Sequence, residues 1–228
     1  MKPALLLAAL SLLAAPAGAA PVDAALVVAV DVSLSVDDGR YRLQRDGTAA
    51  AFESADFARA LGTGPNGAVE VAVMEFSDPD RQIVVLPWTR LANAGDARQF
   101  AERLRRVRRS SHGLTGIADA LLAAQALLDE APGPAARRIV DVSSDGISNI
   151  GPPVTEARDR LVDAGITING LPILSEESWL DTYYAEYVIG GDGAFVQPAR
   201  GPDSFAEAMQ RKLVREVTVA QRDLVTTR

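Results

Sequence analysis

The chain has 228 residues, with 23 Lys and Arg against 30 Asp and Glu, a formal net charge of −7, one histidine and no cysteine. The acidic balance argues against nucleic acid as the main partner. The absence of cysteine excludes a disulfide framework, thiol catalysis, a cysteine zinc site and a lipid-modified cysteine anchor. The lone His112 excludes His-based catalytic pairs and multi-histidine metal sites, and reads as a loop residue.

Lys2, the apolar residues 4–15, Pro16 and the small residues Ala17, Gly18, Ala19 and Ala20 follow the three-part layout of a secretory signal peptide over residues 1–20. The apolar stretch is well short of the roughly 20 residues a spanning helix needs. Its removal leaves about 208 residues, 21–228, enough for one domain with a sizeable core. The expectation is a secreted or periplasmic protein with no membrane insertion after processing.

Residues 25–30, Ala-Leu-Val-Val-Ala-Val, read as a strand covered on both faces. They end in the polar turn Asp31-Val-Ser33-Leu-Ser35. Asp37 and Asp38 suit the start of a helix predicted to run to Leu61. Residues 62–67 carry three glycines and a proline and form a loop. The runs 69–76 and 82–88, separated by Ser-Asp-Pro-Asp, predict an antiparallel hairpin.

Residues 94–109 are helical in composition and end in the basic run Arg103, Arg105, Arg106, Arg108 and Arg109. The helix dipole accounts for much of this run, and an anionic partner surface is the second reading. The loop 110–115 then delivers Thr115 to an Ala- and Leu-rich helix, 117–128.

Strand 138–142 stops at Ser143-Ser-Asp145-Gly146 and contains Asp141, whose burial would demand a partner such as Arg138 or backbone donors. A helix over 152–164, a strand over 166–173, an ambiguous segment 176–189, a short strand 193–196 and an amphipathic helix 204–217 complete the chain. Trp88, Trp179, Tyr183 and Tyr184 read as core aromatics, although Tyr183 and Tyr184 could border a binding surface. The alternation predicts an α/β, doubly wound, mainly parallel sheet with one antiparallel edge strand and helices on both faces.

In such a sheet ligands sit beyond the carboxyl ends of the strands. A carboxylate and hydroxyls at alternate positions point the same way, so Asp31, Ser33 and Ser35 could face one cation, and hard oxygen donors favour Mg²⁺ or Ca²⁺ over zinc or copper. Taken alone, the same serines could be helix caps.

Asp31-x-Ser33-x-Ser35, the later Thr115 and the Asp145-Gly146 turn match, in order, the metal-ion-dependent adhesion site of von Willebrand factor A domains, and the resemblance covers nearly the whole chain after residue 20. It implies that Ser33, Ser35 and Thr115 bind a divalent cation directly, with Asp31 and Asp145 as direct or water-mediated partners. Mg²⁺ is the leading candidate, and Ca²⁺ or Mn²⁺ the others. An Asp or Glu of an exported or envelope protein partner would complete the metal sphere.

Residues 169–173, Tyr183-Tyr184, 188–191, 193–195 and 211–213 further resemble an uncharacterised bacterial subfamily of exported A-domain proteins, a domain of unknown function. By this resemblance, Leu34 and Ser144 stand where many members of the subfamily carry glycine.

The resemblance implies a binding module and not an enzyme. A Mg²⁺-dependent phosphatase using Asp31 as nucleophile is the alternative, but aspartyl enzymes usually carry another aspartate two positions on, and Ser33 stands there. No glycine-rich phosphate cradle or Ser/His/Asp motif is present. A metal-stabilised scaffold without a metal-dependent partner is the third reading.

Overall fold

The computed structural model describes residues 19–175 and 177–225, with side chains described up to Thr218 except Pro202. The expected signal segment therefore falls, over residues 1–18, outside the described residues. Among the described residues no helix is long and apolar enough to cross a membrane.

The chain runs β1 (Ala24–Asp31), α1 (Asp38–Glu53), α2 (Ala55–Leu61), β2 (Val69–Phe76), β3 (Gln82–Leu91), α3 (Ala94–Arg105), α4 (Ile117–Asp129), β4 (Arg138–Ser144), α5 (Val154–Asp163) and β5 (Ile166–Pro172). It continues through a short α6 (Leu180–Tyr183), a π-helical turn (Tyr184–Val188), a 3₁₀ turn (Pro202–Ser204) and the long α7 (Phe205–Val225).

The strands form one sheet in the order β3-β2-β1-β4-β5, with β3 the antiparallel edge strand and all other pairings parallel. The expected α/β architecture is the one observed.

All eight residues of β1 are buried, because helices cover both faces of this central strand. Leu26, Val28 and Val30 pack with Val69, Val71 and Val73 of β2 under α1, α2, α3 and α7. Ala25, Val27 and Ala29 face the other way, toward Ala118, Leu121 and Ala124 of α4 and Ala157 and Leu161 of α5. This is the period-two division of a doubly covered strand. The chain winds outward from β1 through β2 and β3, then returns to the other side for β4 and β5. Strand order therefore reverses between β1 and β4, the crevice where open α/β sheets bind ligands.

Several local expectations are corrected. The helix expected to reach Leu61 breaks at Ser54, whose extended backbone ends α1 and whose hydroxyl accepts from the Phe57 amide to start α2. The helix expected over 94–109 stops at Arg105, and Arg109 turns inward to the end of β1. Residues 193–196 make no strand, and Val196 contributes only a single bridge to Gly170. The ambiguous segment becomes α6 and the π turn, which carries Tyr184 over β5. A Cβ at Gly170 would lie 2.3 Å from the Tyr184 ring, so glycine makes that approach possible. Tyr184 is core as expected, whereas Trp179 is 48% exposed.

The partner expected for Asp141 is also corrected. Arg138 pairs with Asp129 instead. Asp141 is fully buried, with the Lys212 ammonium of α7 2.6 Å from its Oδ1, and the same ammonium lies 2.6 Å from Glu216 Oε1. Asn169 of β5 donates to Glu216 at 2.9 Å and accepts from the Phe195 amide, which ties α7 to the sheet through one enclosed polar network.

One buried cation thus serves two carboxylates. Burial pushes the Asp141 carboxyl up to about 7, opposed by Lys212 and reinforced by Glu216. The folded chain keeps this proton, while the unfolded chain releases it near 3.8. The stability contributed by Asp141 is therefore full below that value and is lost as pH rises through about 7. Asp141→Asn should flatten the fall in melting temperature between pH 5 and pH 8 relative to wild type. Thermal melts across that range check this, and parallel profiles would contradict it.

Candidate functional site

Asp31 is the last residue of β1 and is completely enclosed. Its Oδ1 accepts from the Ser33 amide at 2.7 Å, which folds the chain back as an Asx turn. Its Oδ2 accepts from the Ser144 hydroxyl at the end of β4, a contact set by the strand register that pairs Val30 with Ser143. Burial raises the Asp31 carboxyl to about 6 against the lowering effect of the Ser144 hydroxyl and the Ser33 amide, and the charge of Asp145 adds to the rise.

The turn after β1 then carries its hydroxyls to the edge. Ser33 Oγ lies 3.1 Å from Ser35 Oγ and accepts from Thr115 Oγ1 at 3.1 Å. Ser35 donates to Asp145 Oδ1 at 2.6 Å. All five residues expected from the sequence are thus joined in one hydrogen-bonded cluster. Ser33, Thr115 and Asp145 are buried, while Ser35 is exposed and opens the cluster to solvent. Among the described residues no three His, Cys, Asp or Glu side chains gather as a metal site. The cluster here is instead two carboxylates and three hydroxyls, a hard oxygen set of the kind that suits Mg²⁺ or Ca²⁺.

Four contributors were not identified as site residues from the sequence. Ser144 holds Asp31. Arg40, one turn into α1, donates to Asp145 Oδ2 at 3.3 Å and to the Ser35 carbonyl at 3.2 Å. Asn149 accepts from the Thr115 amide at 2.8 Å, fixing the start of the α4 loop. Arg109 donates to the carbonyls of Val32 and Ser33 at 2.7 Å each and lies over the Tyr41 ring.

The basic run was the signal for Arg109, but composition alone could not separate this one inward-turned arginine from its neighbours. Arg105, for example, makes a half-exposed pair with Glu53. Asp37 does cap α1, accepting from the Gly39 and Arg40 amides. The loop before Thr115 is pinned by Leu34, whose amide donates to the Gly113 carbonyl. Gly113 sits at φ +155°, where a Cβ would strike the Asp78 carboxylate 2.0 Å away. Asp78 in turn accepts from the Leu114 amide.

A family model described as a protein of unknown function, DUF1194, matches residues 21–221. The chain belongs to that family. No curated protein matches it in sequence.

Solved structures share its fold. The mussel byssus proximal thread matrix protein 1 with a zinc-occupied MIDAS motif is 18% identical with a TM-score of 0.59, covering 85% of this chain and 46% of its own. The pilus adhesin SpaC from Lactobacillus rhamnosus GG, in an open conformation, is 15% identical with a TM-score of 0.59, covering 87% and 30%. A von Willebrand factor type A protein from Catenulispora acidiphila is 19% identical with a TM-score of 0.58, covering 86% and 43%. The fold is that of von Willebrand factor A domains, and the chain spans less than half the length of these three relatives.

Arg109 is nine-tenths buried and supplies two charge-assisted bonds to the turn that presents Ser33. Arg109→Gln should lower stability by about 1.5–3 kcal/mol and speed amide exchange at Leu34 and Val36 more than in β2. Unchanged exchange in that turn would contradict the assignment.

Proposed function

We propose that the chain is an exported binding module that captures a protein partner by sharing one partner carboxylate with a divalent cation held by Ser33, Ser35 and Thr115, with Asp31 and Asp145 direct or water-bridged. The observation that carries this reading is the cluster itself. Two carboxylates and three hydroxyls from three distant loops converge at the strand-order switch, and the one exposed hydroxyl lies on the solvent side. Asp31, raised by burial, is the group a cation would most relieve.

Coordination supports an oxygen ligand from the partner. Asp31, Asp145, Asp37 and Asp38 stand against Arg40 and Arg109 at this turn, so a dication would bring the edge close to neutral, while three hydroxyls leave its sphere short of the hard oxygen donors it prefers, and a partner carboxylate would supply one. Mg²⁺ is the favoured ion on ligand hardness. The zinc in the mussel protein's motif makes Zn²⁺ a necessary comparison. The SpaC likeness supports an adhesion-type role, and the N-terminal signal pattern supports a secreted or periplasmic site of action.

The phosphatase alternative fares worse in this geometry. Both Asp31 oxygens accept hydrogen bonds inside the protein, and the side chain has no exposed face for in-line attack.

After chelation, adding Mg²⁺ at 100 times its dissociation constant should stabilise the wild type by about 2.7 kcal/mol, a rise of roughly 5–10 °C in melting temperature for a domain of this size. The Ser33→Ala, Thr115→Ala double variant should fold and show no such rise. Equal shifts in both proteins, or none in wild type with Mg²⁺, Ca²⁺, Mn²⁺ or Zn²⁺, would overturn the reading. A wild-type shift with no metal-dependent partner would leave the scaffold reading in its place.

A further inference from the structure

The loops around the oxygen cluster expose an unusual share of the large apolar side chains. Of the eight exposed large hydrophobic residues among the described side chains, five follow the carboxyl ends of the parallel strands or precede α4: Leu34, Leu114, Ile147, Trp179 and Tyr187. Exposed apolar surface gathered on one rim marks a contact surface more often than chance exposure does.

Beside this rim lies a groove of about 580 Å³ between residues 148–155 and the turn after α6. Tyr183 and Tyr187 stack at 5.3 Å with their rings 29° apart and form one wall, and Pro152, Pro153 and Val154 contribute to the other. No lining residue is charged, in a chain that is 23% charged. A charged occupant would lose hydration here without gaining a partner, whereas an apolar one would not. Flat aromatic rings beside prolines also suit an extended, proline-bearing chain, which loses little conformational freedom on docking.

Hydrogen bonds to the Thr115 backbone place the groove next to the oxygen cluster. Asn149 lines the groove and accepts from the Thr115 amide, while Ser148 donates to the Thr115 carbonyl and its amide donates to the Tyr183 hydroxyl. An extended chain advances about 3.3–3.6 Å per residue, so one short segment can reach both the cluster and the groove.

We propose that this groove receives an uncharged, extended, proline-bearing stretch of the partner that directly adjoins the acidic residue bound at the cation. The inference rests on the metal-dependent capture proposed above and names the partner's chemistry: an acidic side chain embedded in an apolar, uncharged segment.

The test uses calorimetric titration of the protein in saturating Mg²⁺ with two acetylated, amidated peptides. Each carries one glutamate, flanked on both sides by Pro-Leu-Pro in the first and by Ser-Gly-Ser in the second. The first should bind about tenfold more tightly. Tyr187→Ala should remove that preference and Tyr187→Phe should keep it, with both variants retaining the wild-type Mg²⁺ melting shift.

Equal affinity for the two peptides, a preference untouched by Tyr187→Ala, or no binding of either would overturn the groove assignment. Tyr187-dependent binding of the first peptide that is the same in chelator as in Mg²⁺ would support the groove and overturn the metal-dependent reading, so the two failures are distinguishable.

Discussion

One buried carboxylate organises the upper edge of this protein. Asp31 ends the central strand at a position with no exposure, where an ionised side chain is costly unless hydrogen bonds or a cation compensate it. Two neighbours provide part of that compensation: the Ser33 amide bends the chain into the turn, and the Ser144 hydroxyl ties that turn to β4. The serine ladder, its link to Thr115 and the contact with Asp145 all depend on this bend. Burial nevertheless keeps Asp31 near 6. The hydrogen bonds compensate the charge incompletely, and a dication would complete the task.

The second constraint lies lower in the sheet. Lys212 places one cation among Asp141, Glu216 and the Phe195 ring, where none of the charged groups reaches solvent. Such an enclosed network contributes little net stability compared with apolar packing, but it strongly penalises any arrangement in which one member is missing. It therefore fixes where α7 sits against β4 and β5. The same β4 strand carries Ser144, and the following residue is Asp145, so the register that satisfies Asp141 also sets the position of the site.

Features governed by local pattern were legible in the sequence. The β-branched run of β1, its abrupt end at Asp31 and the alternation of strands with helices follow from periodicity and gave the right architecture. The turn Asp31-x-Ser33-x-Ser35 was visible as a spacing, but Thr115 and Asp145 stand 82 and 110 residues from the serines they contact, and only the family resemblance joined them. Arg40 and Arg109 could not be found this way, because nothing local distinguishes an arginine that turns inward from one that stays in water. Asp141 was recognised as needing a partner, yet Arg138 was the wrong candidate for a geometric reason. Residues three apart on a strand point to opposite faces, and the true partner comes from a helix 71 residues later. The break at Ser54 and the π turn depend on tertiary packing, which local propensity does not encode.

Membership of a family of unknown function and a shared von Willebrand factor A fold leave the work of the site to its own chemistry, since one fold supports many functions. That chemistry is an oxygen cluster with an open side, two arginines that temper its negative charge, and an apolar rim beside it. The proposed function requires that a divalent cation sit in this cluster. Diffraction at the manganese absorption edge, from crystals grown with Mn²⁺, tests it most directly. An anomalous peak is expected roughly 2.0–2.6 Å from the hydroxyl oxygens of Ser33, Ser35 and Thr115. A fully ordered edge with no peak there, or manganese bound only elsewhere on the molecule, would contradict it.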